Sequence, residues 1–413
     1  MKRSTKRLLW ISATILLVIG SLGYYGFFLS TNAALELAES FEFRRMRVAR
    51  VDDQDRFRFF FVTNRAGGGA DAPLEERFTA QRAEGLRLGS FDTEIEPSLG
   101  LGRWLDASSW FLDEEIKILN VRDLKQVDFV QQIHEMVAAS PHRALLVLVH
   151  GYRSDFDSAL RGTAFLANIL DIDAPVMVFD WPGNQGESLR GYRRAQQVAT
   201  ASGADLAEAL RLIVHEVRPE RLWLVANSMG GQVVVDAFSQ LYRDGDFMDV
   251  DTEIDQVVLT APDVDHARFN DEFKTELAAL ARHTTVYVSS NDRALLISRV
   301  VNRARRLGES TLSKGDAKAV DGLEGTLSKG DAEMADKIAG LLELVEPDSN
   351  RLTLIDVTPV NRTRNFHNFS LEVPEYFDDV FLRLTNSDTP QNRLRYRFRT
   401  PQGKVYSVLT RGR

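Results

Sequence analysis

From about residue 125 onward, short unbroken apolar runs alternate with longer segments whose apolar positions recur every three to four residues. The short runs predict strands at Ala144–His150, Val176–Trp181, Arg221–Ser228, Asp255–Asp263, Thr284–Asn291 and Arg351–Thr358. The longer segments predict helices at Val127–Ala139, Phe156–Leu170, Leu189–Val217, Gly230–Tyr242 and Ala294–Leu307. Regular alternation of the two implies a mostly parallel central sheet with helices on both faces. The Val/Leu/Ile runs fit strands buried on both faces. Earlier in the chain, Arg56–Thr63 is a Phe-rich strand candidate, Ala66–Ala72 a Gly-rich loop and Leu86–Ile95 a second strand candidate. The segment 66–120, with Trp104, Trp110 and Phe111, could provide a partial cover.

The N-terminus follows a different pattern. Met-Lys-Arg-Ser-Thr-Lys-Arg is basic, and Leu8 to Leu29 then runs without a charge. As a helix this run is roughly 33 Å long, enough to cross a bilayer. Trp10 lies near one end and Tyr24, Tyr25, Phe27 and Phe28 near the other, as in interfacial aromatic belts. A cleaved signal peptide is the alternative, with only Thr31-x-Ala33 as a cleavage pattern. The basic tail favours an N-terminus in the cytoplasm and the bulk of the chain outside it. The expected organisation is a basic tail over 1–7, an anchor over 8–29, and a stalk with N-terminal strands and cover over 30–124. The α/β core follows over 125–385, and a C-terminal hairpin over 386–413.

Two segments break the rhythm. Thr-Leu-Ser-Lys-Gly-Asp-Ala occurs at 311–317 and again at 326–332, a local duplication within an insertion. Arg393, Arg395, Arg397 and Arg399 alternate with Leu394, Tyr396 and Phe398, then Pro401-Gln402-Gly403 turns the chain into Lys404–Thr410. The arginine face has two readings: a grip on anionic lipid head groups, or charge that protects an edge strand from further pairing.

Composition narrows the chemistry. The net charge of −8 argues against nucleic acid as the partner. With no cysteine, disulfides, thiolate catalysis and Cys-ligated metals are excluded. The acidic stretch Asp246, Asp249, Asp251, Glu253, Asp255 lacks the glycine and spacing of a calcium loop, and no metal motif, phosphate loop or dinucleotide fingerprint is present.

The chemistry concentrates at Ala226-Asn-Ser-Met-Gly230. An apolar strand enters a tight turn and a helix leaves it, which is the form of a nucleophile elbow. The flanking Ala226 and Gly230 are small, as a serine held in a strained turn requires. Ser228 is thus the candidate nucleophile, and the Met229 N–H, at the helix N-terminus, one oxyanion donor. The second donor should follow the first central strand, where His150-Gly-Tyr152 lies, and there the Tyr152 N–H is the candidate. His150 reads as a brace for that loop, and Asp180-Trp-Pro-Gly183 as a wall of the pocket. In this class the acid and then the histidine follow the serine. Of seven histidines, His367 falls in the loop after the last core strand and is the candidate base. Asp292, after the second strand beyond the serine, is the preferred acid; Asp263, after the first, is the alternative.

Taken together, Thr63-Asn-Arg65, His150-Gly-Tyr152, Asp180-Trp-Pro182, Asn227-Ser-Met-Gly230, Ala261-Pro-Asp263 and Ser289-Ser-Asn-Asp-Arg-Ala-Leu295, with His367 downstream, resemble a bacterial family of α/β-hydrolase-fold proteins, esterase- or lipase-like and of poorly defined function. The likeness covers roughly residues 57–380. It implies a serine hydrolase acting on carboxylic esters, small or lipid, with no cofactor. With the anchor, the expected location is the bacterial inner membrane, with one pass and the catalytic domain in the periplasm. The alternative is a non-catalytic, membrane-tethered binding or scaffold module on the same fold.

Overall fold

The computed structural model describes residues 46–51, 56–68, 72–95, 116–244, 247, 254–265, 269, 273–289, 351–362, 369–385, 394–399 and 405–411. The unbroken apolar runs form strands because only a sheet covered on both faces can bury every residue of such a run. Strands β4 (Ala144–Val149), β5 (Val176–Asp180) and β7 (Ile254–Thr260) are buried along their whole length. With β1 (Arg56–Gly67), β6 (Arg221–Asn227), β8 (Ala281–Val288), β9 (Leu352–Asp356) and β11 (Val405–Leu409) they pair in parallel, in the order β11-β9-β8-β7-β6-β4-β5-β1. Antiparallel strands complete the sheet, β10 (Arg395–Arg399) at one edge and β2 (Phe78–Ile95) then β3 (Ile116–Leu124) at the other, giving 11 strands among the described residues.

Alternation along β1 assigns its side chains to two cores. Phe60 and Val62 pack with helices α1 (Gln126–Ala139), α3 (Leu189–Leu212), α4 (Gly230–Tyr242) and α5 (Lys274–Leu280). Phe59 and Phe61 pack on the opposite face with α2 (Phe156–Leu170), α6 (Phe369–Glu372) and α7 (Pro374–Thr385). α2 starts at a capping box, with Asp155 accepting from the Ser158 amide. α3 ends in a π-helical turn, Ile213–Val217.

The path of the chain places the site. From β4 it moves outward to β5, then returns to lay β6 on the other side of β4. The loops after β4 and β6 therefore diverge at the carboxyl ends of adjacent strands, where open α/β sheets form their binding crevice.

Several expectations change. β1 continues past Thr63 to Gly67 through two register shifts, and β2 begins at Phe78, well before Leu86. The sequence pattern does not announce β3. Its alternation is interrupted by Asn120 in a left-handed conformation and a register shift opposite Ser90–Asp92, so no period of two survives along it. The C-terminal hairpin forms, but its arginines do not simply face solvent: the Arg395 side chain turns inward to Asp379 at 2.7 Å, and Tyr396 is 53% exposed instead. The anchor at 8–29, the helix at 294–307 and the duplication at 311–332 lie outside the described residues. Among the described residues, no helix is long and apolar enough to cross a membrane.

One aromatic cluster joins β1, β2 and α2. Phe61 meets Phe156 edge-on at 5.2 Å and Phe78 at 6.2 Å, and it is fully buried. Phe61→Ala should lower stability by about 3–5 kcal/mol, read as a fall in the urea midpoint with an unchanged slope. A loss under 1 kcal/mol would show that the cluster closes over the cavity.

Candidate functional site

β6 runs straight into Ser228, whose φ is 53°. A non-glycine residue pays roughly 1–2 kcal/mol in this left-handed region, so the surroundings must hold it there. The Ser228 amide donates to the Thr260 carbonyl at 2.8 Å, and the Ser228 carbonyl accepts from the amides of Gly231 and Asp263, each at 3.0 Å. Neighbouring chain also presses close. A Cβ on Gly230 would lie 2.5 Å from the His150 carbonyl oxygen, and one on Gly151 would lie 3.1 Å from the Ser228 Cβ. The two glycines let the loop after β4 lie directly against the elbow. Among the described residues, neither the Met229 nor the Tyr152 amide has a backbone acceptor.

A buried charge pair fixes that loop from beneath. Arg65, at the end of β1, is fully buried and its Nε lies 2.8 Å from Asp180 Oδ2 and 2.9 Å from Oδ1. Its other nitrogens reach the Asn184 side chain (2.7 Å) and the carbonyls of Ser154 (2.8 Å) and Trp181 (2.6 Å). Thr63 Oγ1 donates to Asp180 Oδ2 at 2.7 Å, and His150 Nε2 lies 3.0 Å from Oδ1. His150 also contacts the Gly151 carbonyl through Nδ1 at 2.9 Å and stacks on Trp181, whose indole N–H donates back to the His150 carbonyl. His150 is therefore a brace, as its strand-end position suggests. Trp181 differs from expectation: it is fully buried, so it supports the loop from below and does not wall a pocket. Burial pushes the Asp180 carboxyl upward, but the Arg65 charge and the bond and charge of His150 outweigh it and hold the group below the ordinary aspartate value.

Above the elbow, Tyr192 on α3 donates its hydroxyl to Asp263 Oδ2 and accepts from Gln196 Nε2 at 3.1 Å. Its ring stands edge-on to Tyr152 at 5.6 Å. Burial, the largest influence, pushes the Tyr152 phenol upward. The Tyr152 hydroxyl donates to the Gly186 carbonyl.

Of the residues expected in the site, Ser228, Met229, Tyr152 and Asp263 are thus brought together. Asp292 and His367 lie outside the described residues. Their described neighbours do connect: Ser289 accepts from Asn361 Nδ2 at 2.9 Å, and Ser370 donates to Asn227 at 3.1 Å, next to Ser228. Among the described residues no cluster of His, Asp and Glu suited to a metal is present. Tyr192 and the bracing role of Arg65 escape the sequence reading. Tyr192 carries no motif, and Arg65 appears only within the Thr63-Asn-Arg65 signature.

A sheet with this strand order, carrying a strand–turn–helix elbow at Ser228 where the order reverses, has the form of the α/β-hydrolase fold. Residues 125–328 match the family model described as an alpha/beta hydrolase of unknown function (DUF900). Among solved structures, the chain is similar to an inhibited esterase B from Lactobacillus rhamnosis, at 11% identity over 87% of this chain and 97% of that one, with a TM-score of 0.36. It is also similar to a predicted CIB-like hydrolase from Thermoplasma acidophilum, at 16% identity over 60% and 88%, with a TM-score of 0.29. A third is propionate-bound esterase Est2 from Thermogutta terrifontis, at 11% identity over 59% and 84%, with a TM-score of 0.31. No curated protein matches the chain.

Replacing Asp180 with Ala strands a buried guanidinium, so the variant should lose about 3–5 kcal/mol of stability in urea titration. The pH dependence follows from the depressed carboxyl. Its contribution is complete above the ordinary aspartate pKa of about 3.9 and is lost as pH falls through the lower folded-state value. The gap between wild type and variant should therefore shrink on acidification; a gap independent of pH would contradict the pairing.

Proposed function

We propose that this protein is a membrane-anchored serine hydrolase that cleaves carboxylic esters through an acyl-enzyme. The observation that carries this reading is the left-handed Ser228 at the strand–helix turn, with the amides of Met229 and Tyr152 lacking backbone acceptors among the described residues. In the proposed mechanism, Ser228 Oγ attacks the acyl carbon while His367 Nε2 takes its proton. The developing oxyanion accepts from the two amides. His367 then returns the proton to the leaving alcohol, and water, activated by the same imidazole, releases the acid. Asp292 orients the imidazole. Asp263 serves as a brace, a role supported by its amide bond to the Ser228 carbonyl and its Tyr192 partner.

The uncharged run Leu8–Leu29 and its basic flank support the anchor, with the catalytic domain on the periplasmic side of the inner membrane. The chemistry needs no cofactor.

The test is hydrolysis of a chromogenic short-chain ester by the full chain. Ser228→Ala should lower kcat/KM by about 10⁴-fold or more, and Asp292→Asn by a comparable factor. Asp263→Asn should cost far less. If Asp263→Asn abolishes turnover and Asp292→Asn does not, the acid is Asp263. Full activity in Ser228→Ala would overturn the serine mechanism.

A further inference from the structure

At the β10–β11–β9 edge of the sheet, Arg383, Arg395 and Arg397 lie around the Asp379 carboxylate. Arg383 on α7 is only 6% exposed, yet among the described residues its Nε has no partner and Nη1 makes one long bond, 3.5 Å, to Thr353 Oγ1. Arg395 on β10 is satisfied: Nε and Nη2 both reach Asp379 Oδ1, at 3.1 and 2.7 Å. The second oxygen of Asp379 accepts from the Tyr287 hydroxyl at 2.6 Å, so this carboxylate is already committed. Arg397 lies two residues beyond Arg395, hence on the same face of the strand, and is exposed. Opposite it in the ladder stands buried Ser407, in turn beside Ile355 of β9.

A desolvated guanidinium beside like charges is costly unless an anion accompanies it. Burial is the largest influence on Arg383 and weakens its hold on its proton. Arg395 and Arg397 weaken it further, against the opposing pull of Tyr287 and Asp379.

We propose that Arg383 and Arg397, backed by the Arg395–Asp379 pair, form a site for a tetrahedral phosphate oxyanion. The Arg383 guanidinium, whose Nη1 is held among the described residues only by the long Thr353 bond, and the exposed fork of Arg397 donate to its oxygens. The ligand is a phosphate group, whether free or in a lipid head group. The site is separate from the Ser228 chemistry and stands or falls independently of it.

Thermal unfolding of the full chain tests this at constant ionic strength. Inorganic phosphate forms one arm and glycerophosphoglycerol, the deacylated head group of an anionic lipid, the other; chloride is the reference. At a twenty-fold excess over Kd, the wild type should gain roughly 2–4 °C. Arg397→Ala, at an exposed position, should fold normally and lose most of that gain. Arg383→Met should lose it too, with a Tm in chloride no lower than the wild type, because it removes an unpaired buried charge. A gain with phosphate alone identifies the free anion; a gain at lower concentrations of the diester identifies the lipid head group. Equal Tm values in all three solutions, or a gain that persists in both variants, would overturn the proposal.

Discussion

The buried pairing of Arg65 with Asp180 is the interaction on which the candidate site depends. Removing two charges from water costs several kcal/mol for each, and a simple pair seldom repays it. Here repayment comes from completeness. Every side-chain nitrogen of Arg65 has an acceptor, and both Asp180 oxygens accept, from Arg65, Thr63 or His150. Two of those acceptors are carbonyls of the loops after β4 and β5. One guanidinium therefore fixes the ends of three neighbouring strands relative to one another, and His150 carries that order to Gly151, where a side chain would crowd the Ser228 Cβ.

The elbow turns this rigidity into chemical readiness. A serine at φ 53° is unfavourable alone, and three backbone hydrogen bonds with tight contacts from the β4 loop keep it there. In the proposed mechanism, the turn geometry and the two donor amides are set before any substrate arrives, so little reorganisation would be needed when charge develops. Tyr192 extends the brace across the crevice, with its hydroxyl on Asp263 and its ring against Tyr152.

What the sequence made legible follows physical lines. The parallel core was readable because two-sided burial demands unbroken apolar runs; α2 and α4 match their expected bounds, Phe156–Leu170 and Gly230–Tyr242. The elbow was readable because its small residues are sterically compelled. β3 was not, since a left-handed Asn120 and a register shift erase its alternation. Nor was the inward turn of Arg395, which depends on Asp379 from a helix the alternation of β10 cannot anticipate. Tyr192 was invisible for a related reason: its role comes from a tertiary contact with Asp263, 71 positions away along the chain. Local pattern reports backbone demands well, and polar partnerships between distant elements poorly.

The account rests most directly on Ser228 being a nucleophile in a prepared oxyanion site. Peptide mapping after treatment of the full chain with a fluorophosphonate tests this without knowledge of the natural substrate. A single adduct on Ser228, absent from a folded Ser228→Ala variant, is the expected result. A well-folded wild type that takes no label, or one labelled elsewhere, would contradict it.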